Sequence, residues 1–103
     1  MSNSWTLLNS HGLVLFYVAA YPDSTMREMS GALALTERRI AEIIGDLSEA
    51  ELIQVNRVGR RNSYSVNQRA AFRHPTLRHI TLGQFEELLA SQIESEAPAL
   101  TTA

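Results

Sequence analysis

Residues 24–67 read STMREMSGALALTERRIAEIIGDLSEAELIQVNRVGRRNSYSVN, and few folds accommodate that order of signals. Ile40, Ile43, Ile44 and Leu47 recur at i, i+3, i+4 and i+7, the spacing of one helical face turned to a core. Thr36 stands just before that stripe as an N-cap, with Glu37, Arg38 and Arg39 in the first turn. Upstream, Ser24 or Thr25 caps a shorter helix to about Leu33, with Met26, Met29 and Leu33 on one stripe. Only Ala34-Leu35 separates the two helices, so they must cross tightly. Downstream, Leu52 to Val58 and Asn62 to Val66 read as a hairpin around Gly59-Arg60-Arg61. The expected fold class is therefore mainly α with a small β-hairpin (α+β).

The flanks complete a single domain, which 103 residues suffice to build around one modest core. Asn9 or Ser10 caps a first helix that runs to about Tyr21, where Pro22 and Asp23 stop it. Leu13 through Val18 leave that helix almost no polar face, and a helix apolar all round needs cover on every side. In so small a domain the cover points to a second subunit. Residues 67–80 look irregular, with His74-Pro75 breaking any helix. Thr81 then caps a last helix to about Ser95, carrying Leu82, Phe85, Leu88, Leu89 and Ile93 on one face. From Ala97 the chain is small and polar, and is expected to fray.

Net charge is −2, which taken alone argues against a nucleic-acid partner. Its distribution argues the other way. Residues 36–79 hold eight arginines against five acids, whereas residues 80–103 hold Glu86, Glu87, Glu94 and Glu96 with no base. Every basic side chain is arginine, which suits two-pronged contacts to phosphate or guanine, although a GC-rich genome would give the same bias. With no cysteine there is neither a disulfide framework nor a thiolate metal site. Leu13 to Tyr21, the longest apolar run, is under half the length of a membrane span, and no basic leader with a cleavage site precedes it. A cytoplasmic protein without membrane association is expected.

These residues resemble the winged helix-turn-helix of bacterial MarR- and ArsR-type regulators over roughly residues 10–67. Met29-Ser30 stands where that pattern has an apolar residue followed by a small one. Leu33-Ala34-Leu35-Thr36 is similar to the turn, Ile40 to the buried position after it, and Leu47 to the end of the recognition helix. Leu52-Ile53 opens the wing, and Gly59-Arg60-Arg61-Asn62 with Tyr64 closes it. The resemblance implies a winged-helix DNA-binding domain over residues 1–80 and a dimerisation helix over 81–96, with a tail at 97–103. It also implies a dimeric regulator of transcription, by default a repressor, with double-stranded DNA as its partner.

The residues themselves supply the physical case. A recognition helix enters the major groove by its N-terminal end, where unpaired N–H groups and the positive helix end attract phosphate. Thr36, Arg38 and Arg39 project from that turn, and Glu42 lies one turn on. Arg57, Arg60, Arg61 and Asn62 bring the wing to the backbone or the adjacent minor groove. The plainer alternative pairs Arg38 and Arg39 with Glu42 at helical spacing and leaves the Arg-rich turn a soluble hairpin tip. Leu13, Phe16, Tyr17, Leu82, Phe85, Leu88, Leu89 and Ile93 are the expected dimer interface; the alternative packs the last helix on its own first helix. Two positions depart from the resemblance: Ala34 sits where the turn often has glycine, and Glu51 where glycine commonly ends the recognition helix. If either adopts the left-handed conformation, it costs on the order of 1 kcal/mol.

Other functions find little support. His11, His74 and His79 offer neither a ligand pair on one helical face nor a nearby carboxylate, so no metal and no cofactor is expected. No phosphate loop, nucleophile with a histidine base or paired-carboxylate site suggests an enzyme. Trp5, Phe16, Tyr17 and Phe85 either line an apolar pocket for a small effector or belong to the core. The serious rival is a winged helix that binds a protein, its Arg60 and Arg61 meeting an acidic surface.

Overall fold

In the computed structural model residues 7–72 and 74–88 are described. Helix α1 (Ser10–Ala20) leads through Pro22 into α2 (Met26–Leu33), and a sharp turn leads into α3 (Glu37–Glu49). Strands β1 (Ile53–Val58) and β2 (Arg61–Val66) then pair antiparallel, and a 3-10 turn (Pro75–Leu77) precedes a last helix α4, described over 82–88. The fold is α+β, and its element order is that of a winged helix-turn-helix. Trp5, Arg73, Leu89, Ile93, the predicted extension of α4 to Ser95 and the tail from Ala97 lie outside the described residues.

Each helix begins at the cap its sequence announces. Asn9 accepts the Gly12 N–H at 2.9 Å, and Thr36 accepts the Arg39 N–H at 3.0 Å. Thr25 and Glu28 satisfy each other's backbone N–H groups reciprocally, at 3.0 and 2.8 Å. Thr81 and Gln84 do the same at the start of α4.

The two ends that lack glycine close in the left-handed region all the same. Ala34 takes φ 57 and ψ 41, and Glu51 takes φ 63. At Glu51 the closure is a Schellman motif: the Leu52 N–H reaches Leu47 O and the Glu51 N–H reaches Ser48 O, each at 2.9 Å. At Ala34 the Leu35 N–H turns back to Ser30 O at 3.3 Å, and the Ser30 hydroxyl donates to Leu35 O. These bonds satisfy carbonyls that a helix end otherwise leaves unpaired, which offsets the conformational cost.

One core joins all the elements. Val14 and Val18 from α1, Met29 from α2, and Ile40 and Ile43 from α3 are fully buried, each contributing roughly 1.5–3 kcal/mol. Ile44, Leu47, Ile53, Tyr64 and Leu82 complete the same cluster. All four residues of the α3 stripe lie inside it, as their spacing requires.

The hairpin is tighter than its sequence suggests. Val58 pairs with Arg61, so the loop is the two residues Gly59-Arg60 and Arg61 belongs to β2; β1 begins at Ile53 rather than Leu52. Gly59 carries φ 64, and a glycine with positive φ at the first loop position is what a two-residue hairpin favours. Leu52 is held instead by the end of α3.

Residues 67–81 are more ordered than expected. Ala71 bridges Thr81, the Phe72 N–H reaches Ile80 O at 3.0 Å, and the Leu82 N–H reaches Ala70 O at 2.8 Å. A Cβ on Gly83 would come within 2.8 Å of Gln68 O, so α4 begins in direct contact with that loop's backbone. Its packing covers part of α1: the rings of Phe16 and Phe85 stack at 4.4 Å, and Phe72 joins them at 5.5 Å.

Candidate nucleic-acid interface

The first turn of α3 stands clear of the protein because the core stripe begins only at Ile40. Thr36 uses its hydroxyl in the cap, leaving Arg38 and Arg39 as the projecting cations. Arg38 is 92% exposed, yet both arginines lean on one carboxylate. Glu42 Oε2 lies 3.9 Å from Arg38 Nε, and its Oε1 accepts from Arg39 Nη1 at 3.2 Å. Arg39 and Glu42 are half-exposed, at 43% and 53%. With Glu37, Asp46 and Glu49 counted, α3 carries two arginines against four acids.

The wing is built the opposite way. Arg57, Arg60 and Arg61 stand in a segment with no acid, and none of them pairs with a carboxylate among the described residues. Arg57 Nε donates to Gly59 O at 3.0 Å, bracing the turn from within. Arg60 occupies the tip and is exposed. Arg61 Nη2 donates to the backbone oxygen of Asp23 at 3.1 Å, a contact that orients the guanidinium without cancelling its charge. Arg60, Arg61 and Asn62 face Ser24, Thr25 and Met26 across a cleft of about 190 Å³, at the N-terminal end of α2.

The fastening of the wing has no local signal in the sequence. Asp23, read from sequence as a helix stop, ties it down: Ser63 Oγ donates to Asp23 Oδ1 at 2.9 Å, beside the Arg61 contact. The neighbouring Pro22 O accepts the Tyr64 N–H at 2.9 Å, a backbone bond that ties the α1–α2 connection to β2. These partners are about forty residues apart in sequence, and no local spacing announces them.

One expectation about histidine is corrected. His11 does have a carboxylate beside it, since its Nε2 lies 2.8 Å from Asp46 Oδ2. The contact joins α1 to the outer half of α3, which only the packed fold brings together. Among the described residues no three His, Asp or Glu side chains converge as a metal site. No helix of the described residues is long and apolar enough to cross a membrane.

The expected interface residues on α1 and α4 divide by environment. Leu82 is buried within the chain's own core, and Phe16 and Phe85 stack on each other. Leu13 and Tyr17 are half-buried, Tyr17 resting on Tyr21 at 4.9 Å, and Leu88 is 60% exposed. Phe16 also edges an open apolar groove of about 600 Å³ between α1, the end of α3 and residues 71–82. Tyr17 and Phe85 do not line that groove.

No protein-family model matches the chain, and no curated protein does. Among solved structures it is similar to "Structure of Lactococcus lactis ZitR, C30S mutant", with 22% sequence identity and a TM-score of 0.47. That likeness covers 99% of this chain and 79% of the other.

Proposed function

We propose that the protein is a sequence-specific double-stranded DNA-binding transcription regulator that works as a dimeric repressor of the MarR/ArsR kind. In this reading residues 36–50 enter the major groove by their N-terminal end, and the wing, residues 52–66, lies on the backbone or in the adjacent minor groove. What carries it is the wing: three arginines unpaired by any described carboxylate, beside a helix whose first turn is exposed. The cleft of about 190 Å³ between the wing and α2 suits a backbone phosphate, with Arg60, Arg61 and Asn62 on one side. Pairing of two copies through α1 and α4, around Leu13, Tyr17 and Leu88, would set two recognition helices about 34–36 Å apart, one turn of DNA. Its place is the cytoplasm, and no cofactor is needed for the contact itself.

The test is fluorescence anisotropy of the purified protein with duplex DNA across a salt series. Binding should weaken linearly on logarithmic axes, with a slope of about −2.7 if each wing arginine neutralises one phosphate. A second reading is favoured by one observation, the excess of acids on α3. That surface fits a basic protein partner better than a polyanionic groove. A folded protein that binds no duplex at low salt would overturn the first reading in favour of the second.

A further inference from the structure

Resting on the DNA-binding reading, we infer that Glu42 determines sequence discrimination by competing with DNA for Arg38 and Arg39. The geometry is a single carboxylate shared by two cations, at 3.9 and 3.2 Å, on the exposed side of the helix proposed to read the groove. No other described acid takes its place at those arginines, and Asp46, one turn further along, is engaged by His11. An arginine that reaches for a phosphate must leave Glu42. When both arginines do so, the carboxylate is left unpaired against the negative potential of the duplex, and the exchange gains little.

The balance differs where the bases answer both groups. Guanine offers O6 and N7 to the arginine, and cytosine offers its N4 amine to the carboxylate. At such a site Glu42 exchanges one partner for another instead of losing it. Its charge therefore disfavours mixed sequence more than it disfavours a site presenting guanine and cytosine in the right register. Glu42 acts here as a selector, and the preferred target is one with G·C pairs under the first two turns of α3.

The experiment compares the full chain with Glu42→Gln and, as a charge control, Glu49→Gln, a substitution further along α3. Each is titrated against a mixed-sequence duplex and against the tightest duplex recovered from a random pool, across salt. Glu42→Gln should bind mixed sequence more tightly, with a salt slope steeper by about 0.9 for each arginine released. The ratio between best and mixed duplex should fall by about tenfold, within the range of one base contact. Glu49→Gln should leave slope and ratio near those of the parent. A helix-stabilising role alone would shift the melting temperature and leave the slope unmoved. If Glu42→Gln tightens both duplexes equally, or moves neither slope nor ratio while the parent binds DNA, the selector role is wrong and the DNA-binding reading stands. If neither protein shows salt-dependent duplex binding, both fall together.

Discussion

Helix α3 and the wing use the same residue, arginine, in opposite ways. Helix α3 buries four aliphatic side chains, and its two arginines are held by Glu42 among four acids. The wing buries only Ile53 and Tyr64, and its three arginines form no ion pair with a described carboxylate. Attraction to a polyanion therefore resides in the part that contributes little to the core. The part that carries the core has its cations offset by nearby acids. On the proposed DNA-binding reading that division separates affinity from selectivity, and both from stability, so substitutions should sort cleanly among the three.

The largest effect tests whether α3 carries the fold. Ile43→Ala removes a fully buried side chain and should cost about 2–5 kcal/mol, read from the denaturant midpoint. Arg60→Ala with Arg61→Ala should leave that midpoint close to the parent's. If the wing variant unfolds as readily as Ile43→Ala, the separation is false.

Next in size is the split between selectivity and affinity. Arg38→Ala should forfeit about 1–3 kcal/mol of discrimination between the best and a mixed duplex. The double wing variant should weaken every duplex alike and flatten the salt slope by about 1.8. A wing variant that changes sequence preference would mean that the wing reads bases.

Smaller effects probe the ends and the outer face of α3. Ala34→Gly and Glu51→Gly should each stabilise the fold by up to about 1 kcal/mol, because both positions hold positive φ. Neither should alter duplex affinity. Gly45 lies exposed within α3, and a Cβ there meets nothing within 4 Å. Gly45→Ala should therefore gain about 0.8–1 kcal/mol in stability. A loss of DNA affinity in that more stable variant would sharpen the comparison, since it would show that this bare strip sits against the duplex.

What could be read in advance follows the range of the interaction. Caps at Asn9, Thr25 and Thr36 act over three residues, and the α3 stripe over seven, so both are visible in a single window of sequence. The left-handed turns at Ala34 and Glu51 were likewise visible as places where glycine is missing. The hairpin is tighter than the spacing of its residues predicts, because Arg61 pairs with Val58 once Gly59 turns the chain. What stayed hidden was long-range and polar: Asp23 with Arg61 and Ser63, and His11 with Asp46. Short polar side chains follow no period, and only packing decides which of them meet. The self-stacking of Phe16 and Phe85 is hidden for a related reason. An apolar stripe shows that a surface will be covered, but not whether the cover comes from its own chain.

Ala34 and Glu51 stand as single-residue corners at either end of α3, and between them inward and outward faces share no position. Ile40, Ile43, Ile44 and Leu47 seat the helix through a face that Arg38, Ala41, Glu42 and Gly45 do not share, so helix-forming replacements at those four leave the buried stripe untouched. The segment is thus an exchangeable cassette. A lineage, or an engineer, can rewrite its outward letters, and on the proposed reading retarget the protein, while the scaffold underneath is inherited intact.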